Sequence, residues 1–140
     1  MPKYSIVIDS CYEDIDYAVD KVLEFINRQS AMGGRRFLFS INLTLRELLN
    51  NAVEHGNRFN TDKKITCEVC LTDSIIEIKV ADEGEGFTLD GIGDEDYPAD
   101  LADTRHRGLK IIKKMGFELC ACKNAITAKV DCIKLWNKEE

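Results

Sequence analysis

The stretch from Leu45 to Asn57 constrains this chain more than any other part of it. Leu45, Leu48, Leu49, Ala52 and Val53 recur at helical spacing, about 100° apart per residue, and form a single apolar arc. A helix with such an arc has to bury it against a second layer. Its other side is polar in an ordered way: Glu47, Asn51 and His55 follow one another by fours and stand in one row on a helix. Taken alone, a solvated helix face explains that row.

The flanking pattern supplies the second layer. KYSIVID reads as a short strand, and Asp14 to Ser30 as a helix with Ile15, Val19, Val22, Leu23 and Ile26 at helical spacing. Met-Gly-Gly breaks the chain, and Arg35 to Gly56 forms the longer helix. Lys64 to Leu71 alternates Ile65, Cys67, Val69 and Leu71 on one side. Thr72-Asp73-Ser74 is a turn, and Ile75 to Asp82 pairs back as a hairpin. DEGEGFTLDGIGDEDYPADLADTRH then runs without periodicity, and a loop of that length in a compact domain is functional or mobile. RGLKIIKKM is a short helix, and Phe117 to Cys122 and Ile126 to Leu135 are the last strands. This order predicts an α/β (α+β) two-layer sandwich, a mostly antiparallel mixed sheet with helices on one face. Without repeats or a proline-rich linker, residues 1–140 read as a single domain.

A net charge of -6 excludes nucleic-acid binding through a broad basic face. No apolar run reaches membrane-spanning length, and charges interrupt the N-terminus too early for a signal peptide. The expectation is a soluble, cytoplasmic protein that contacts neither nucleic acid nor membrane directly. Six cysteines include Cys67-x-x-Cys70, but the pair falls in a strand, where residues three apart point to opposite faces. Reduced, structural cysteines are expected rather than a zinc site.

Two further motifs carry chemistry. In VADEGEGF, Val80 and Asp82 continue the inward set of Ile76 and Ile78, so Asp82 is expected to face the helix layer and to need hydrogen-bond donors there. Gly84 and Gly86 permit a tight turn and close backbone approach to a ligand. In TRHRGLKII, Gly108 is expected at a helix start, whose free N–H groups favour an anion, with Arg105, His106, Arg107 and Lys110 crowded around it. Each motif alone has an ordinary structural explanation; the three in this order are far more specific.

ELLNNAVEHG, DEGEGF and RGLKIIKKMGFEL together resemble the N-box and the two glycine motifs of the Bergerat-fold (GHKL) ATPases, a likeness that spans nearly the whole chain. The N-A-x-x-H-G ending, Asn51 to Gly56, and the strand–helix unit before it are similar to the anti-sigma-factor serine/threonine protein kinases. The resemblance implies ATP and Mg²⁺ as cofactors. It implies that Asn51 holds Mg²⁺, that Glu47 accepts or orients a proton of the attacking hydroxyl, and that Asp82 accepts from the adenine amino group. By the same resemblance Gly84 and Gly86 approach the base and ribose, and Arg105, Arg107, Gly108, Leu109 and Lys110 serve the phosphates. Thr127 takes the adenine role of the threonine in the last strands, although this chain has Asn-Ala-Ile-Thr where the family often has Gly-Thr, and Lys110 where another glycine often stands. For His55, capping or packing stands beside ligand contact. The implied partners are a small antagonist protein and a sigma factor, with a homodimer as a further expectation. The alternative is a nucleotide-gated protein-binding module with little or no kinase activity.

Overall fold

In the computed structural model, which describes residues 2–29, 35–86 and 104–133, the elements run in the order β1 (Lys3–Asp9), α1 (Tyr12–Gln29), α2 (Arg35–Asn51), β2 (Lys64–Thr72), β3 (Ile75–Ala81), α3 (Thr104–Lys114), β4 (Glu118–Cys122) and β5 (Ala125–Asp131). The strands form one sheet in the order β1-β2-β3-β5-β4. All four pairings are antiparallel, so the described strands form no mixed sheet. The β2–β3 hairpin turns at Asp73 and Ser74, with Asp73 at φ 51°, a left-handed conformation that aspartate tolerates better than most residues.

The alternation along each strand decides which side is covered. Ile65, Cys67 and Val69 of β2, Ile76, Ile78 and Val80 of β3 and Ala128 and Val130 of β5 are all buried on one face. Against them lie Ile15, Val19, Val22 and Ile26 of α1, Ile41, Leu45, Leu48 and Leu49 of α2, and Leu109 and Ile112 of α3. The opposite face pairs charges across strands, Glu68 with Lys79 and Glu77 with Lys129, which suits a surface in water. Cys67 is buried and Cys70 is not, as residues three apart on a strand require. Burial pushes the Cys67 thiol up to about 12 and the Cys132 thiol up to about 11, so both are inert core groups at neutral pH.

Element boundaries depart from the sequence reading in three informative places. Helix α1 starts at Tyr12, with Glu13 and Asp14 in its first turn, where acidic side chains meet free N–H groups. Helix α2 keeps regular α geometry only to Asn51; Ala52–Gly56 is a π-helical turn, closed by the Asn57 N–H donating to the Ala52 carbonyl at 2.8 Å. Helix α3 starts at Thr104, so it takes in Thr104 to His106 from the expected loop. Residues 30–34, including Met-Gly-Gly, residues 87–103 of the long loop, and Lys134 and Leu135 of the expected last strand lie outside the described residues. Among the described residues no helix is long and apolar enough to cross a membrane.

Leu49 is fully buried between the two layers. Leu49→Ala is expected to cost about 2–5 kcal/mol in urea unfolding, through lost contacts and a residual cavity. A loss below about 1 kcal/mol contradicts this placement of the α2 arc.

Candidate nucleotide site

Because α2 buries its leucines, its polar residues emerge where α2, α3 and the tips of β3 and β5 converge. Asn51 is only 5% exposed, and its side-chain Nδ2 has no hydrogen-bond partner. A buried amide with an unmet donor costs free energy, and such groups in native proteins are kept for a ligand, a water or an ion. Asn51 opens onto a slot walled by Leu48, Val80, Asp82, Asn124 and Ile126, with a volume of about 20 Å³. That is room for a water, so a larger ligand has to part the walls. A wider cleft of about 600 Å³ adjoins the slot, sharing Gly56 and Gly86 with it and bordered by Glu54, His55 and Arg58.

Asp82 follows directly on β3, and the alternation that buries Ile76, Ile78 and Val80 carries its side chain to the helix layer, as expected. Its carboxylate lies against Gly56, at the end of the π-helical turn, and Oδ1 accepts the Gly84 N–H at 2.7 Å. Gly84 in turn lies against the Gly56 carbonyl so closely that any Cβ there would collide with backbone. Two chain segments can approach this tightly only because both positions are glycine. Gly86 has φ +103°, and a Cβ on it would meet the Lys123 carbonyl at 2.9 Å.

Glu47 stands one turn before Asn51 on α2, half-buried, with its carboxylate packed against Gly108 of α3. Burial first, and the negative charge of Glu54 second, hold its pKa above the ordinary carboxylate value. A side chain at position 108 would occupy the space of the Glu47 carboxylate. This corrects the sequence reading of Gly108. With α3 beginning at Thr104, Gly108 lies in the second turn, and its N–H is not among the unpaired amides of a helix start. Its smallness serves the approach of Glu47.

Other expected residues fall in different places. Leu109 is fully buried in the core. Arg107 is exposed and Lys110 half-buried, each next to Gly108 or within one turn of it. Arg105 lies in the first turn of α3, and its side chain is outside the described residues. Thr127 is a second correction: it pairs with Lys79 and Cys120, and therefore faces the side of the sheet away from the helices. Ile126, paired with Val80, is the residue of that strand that lines the slot. His55 leaves the row of Glu47 and Asn51, because the π-helical turn takes more residues per turn; it borders the outer cleft, with Nε2 3.8 Å from Glu54.

The sequence reading missed Asn57 and Asn124. Asn57 is 1% exposed; its Oδ1 accepts the Glu83 N–H at 2.8 Å and its Nδ2 donates to the Lys64 carbonyl at 3.1 Å. Asn124 lies in the β4–β5 turn, accepts the Asp82 N–H on its carbonyl at 3.0 Å, and donates its Nδ2 to the Asp82 carbonyl. Asn57 borders the helical motif and Asn124 occupies a hairpin turn, both frequent places for asparagine; their partner is set by tertiary structure.

A sequence profile for the family described as "Histidine kinase-like ATPase domain" matches residues 15–128. No curated protein sequence matches the chain. Among solved structures it is similar to the histidine kinase domain from Erythrobacter litoralis EL346 blue-light activated histidine kinase, with a TM-score of 0.56 and 12% sequence identity. The match covers 88% of this chain and 63% of that one, so the chain spans less than two thirds of that relative. At this identity the likeness speaks for the fold, a helix-covered antiparallel sheet.

The raised pKa of Glu47 has a sign that stability measurements can read. Ionising a carboxyl that the fold holds above its ordinary value costs folding free energy, so that cost is absent below pH 4.5 and is felt fully once pH exceeds the folded pKa. Glu47→Gln is therefore expected to melt higher than wild type at pH 7, with the difference closing as pH falls below 4.5. An equal or lower melting temperature at pH 7 contradicts the burial of a charged Glu47.

Proposed function

The chain belongs to the histidine kinase-like ATPase domain family, and on that premise we propose that it binds Mg-ATP and phosphorylates a serine or threonine of a small antagonist protein, as a partner-switching regulator of a sigma factor. The observation that carries this reading is the pairing of Glu47 with Asn51. A half-buried carboxylate of raised pKa stands one helical turn from a buried amide with an unmet donor.

The residues present fit the ligand. Asn51 offers a side-chain oxygen of the kind that Mg²⁺ takes, while its unmet Nδ2 marks a position built to be completed. Gly56 and Gly86 border the slot, and a side chain at either would collide with the Asp82 carboxylate or the Lys123 carbonyl that frame it. Bound Mg-ATP supplies the transferable phosphoryl group, and the metal offsets its charge. The chain's own part is positional. Asp82, held by Gly84, Asn57 and Asn124 around it, presents a carboxylate to accept from an exocyclic amine such as that of adenine. Glu47 takes the proton from the attacking hydroxyl, and a pKa raised by burial makes it a better acceptor than an exposed glutamate. Gly108 lets that carboxylate lie against α3, next to Arg107 and within one turn of Lys110, whose charges suit phosphate. The choice of serine or threonine as acceptor, and of a sigma factor as second partner, rests on the N-A-x-x-H-G ending and the strand–helix unit that precedes it.

Asp82→Asn is expected to weaken ATP binding at least about tenfold, since a charge-assisted hydrogen bond at a buried site is worth about 1.5–3 kcal/mol, and to leave GTP binding nearly unchanged. Calorimetry on the folded variant checks this; full ATP affinity contradicts the assignment of Asp82.

Glu47→Ala is expected to retain ATP while phosphate transfer to a cognate antagonist protein falls by about 10²–10⁴-fold. Radiolabel transfer at the wild-type rate removes Glu47 from the chemistry. A wild-type protein that binds ATP and the antagonist but transfers nothing is instead the nucleotide-gated binding module.

A further inference from the structure

The short segment Asp82-Glu83-Gly84 has left the sheet, yet each of its N–H groups is held. The Asp82 N–H donates to the Asn124 carbonyl at 3.0 Å, the Glu83 N–H to Asn57 Oδ1 at 2.8 Å, and the Gly84 N–H to Asp82 Oδ1 at 2.7 Å. The Asp82 carbonyl is taken as well, by Asn124 Nδ2. Thus one residue of the β4–β5 turn, Asn124, grips both polar groups of the Asp82 backbone, one with its own carbonyl and one with its side chain. The residue before it, Lys123, has φ 57° and rests its carbonyl against Gly86, at the far end of the same motif. Asn124 also lines the slot itself, opposite the end of α2. A bulky residue in a left-handed conformation costs free energy, and the surrounding contacts have to hold it there.

From this juxtaposition we propose that Asn124 is the positioning residue for Asp82 and, through it, a determinant of base selectivity. The inference rests on the reading of the slot as a nucleotide site. A carboxylate discriminates an amino group from a carbonyl on a base edge only if it stays where the amine can reach it. Asp82 is the first residue beyond the β3 ladder, so its backbone is set by two hydrogen bonds to Asn124 rather than by strand pairing. Asn57 secures the next peptide from the α2 side, and Asn124 holds Asp82 from the sheet side. Losing the Asn124 side chain frees the Asp82 carbonyl and loosens the carboxylate without touching it.

The test compares ATP and GTP binding by calorimetry in wild type, Asn124→Ala, Asp82→Ala and the double variant, with amide exchange at residues 82–84 in the absence of nucleotide. Asn124→Ala is expected to weaken ATP about three- to tenfold with GTP shifted less than about twofold, because one neutral hydrogen bond is at stake and acts only through base recognition. In the Asp82→Ala background the same change is expected to do nothing, the non-additivity of two residues acting as one. Amide exchange at Asp82 and Glu83 is expected to quicken in Asn124→Ala. Equal weakening of both nucleotides, or the full Asn124→Ala effect in the Asp82→Ala background, makes Asn124 a merely structural residue and overturns the proposal. If Asn124→Ala does not fold, Asn124→Ser, which keeps turn chemistry but shortens the donor, takes its place with the same outcomes. Wild type that binds neither nucleotide overturns the site reading and this proposal with it. Wild type that prefers ATP while Asn124→Ala keeps the same preference overturns the proposal alone.

Discussion

The seating of α2 against the sheet is the contact on which the rest depends. Leu45, Leu48 and Leu49 are fully buried there, with Ile78 of β3 equally buried facing them. Burying those side chains leaves no rotational choice, because a turn of one residue, about 100°, would lift leucines into water at a cost of about 1.5–3 kcal/mol each. Once the arc is seated, Glu47 is delivered to α3 and Asn51 to the slot beside Asp82. The same packing that stabilises the fold therefore aims the polar residues, and no separate device is needed to do so.

Those polar residues work against stability. Asn51 is buried with an unmet donor, Glu47 is held with a raised pKa by burial, and Asp82 leaves the sheet to stand against the end of the α2 layer. Such groups persist where function requires them and other contacts supply the difference. Here the supply is local. Asn57 and Asn124 satisfy the peptides on either side of Asp82, and Gly56, Gly84 and Gly108 remove the side chains that would keep the carboxylates apart from their neighbours.

Much of this was legible in the sequence because it follows from period alone. The apolar arc of α2, the alternation of β2 and β3, and the inward direction of Asp82 all come from spacings of 3.6 and 2. What was not legible depends on tertiary context. The π-helical turn at Ala52–Gly56 has no periodic signature, and it takes His55 off the row shared by Glu47 and Asn51. The start of α3 at Thr104 makes Gly108 a packing position, since its partner Glu47 lies on another helix. Thr127 sits one residue out of phase with Ile126, and on a strand one residue is the difference between the slot and the opposite face. Asn124 reads as an ordinary turn residue until Asp82 is seen beside it.

On the proposed function, the end of α2, the turn after β3 and the first residues of β5 form one nucleotide site. A crystal structure of the protein with Mg²⁺ and a non-hydrolysable ATP analogue tests it most directly. The base is expected between Asp82 and Ile126 with its amino group on the Asp82 carboxylate, the metal on the Asn51 side chain, and the phosphates on the side of Glu47 and Gly108. A nucleotide lodged in the outer cleft beside Arg58 and Lys63, or on the sheet face that carries Thr127, with Asp82 and Asn51 untouched, would contradict it.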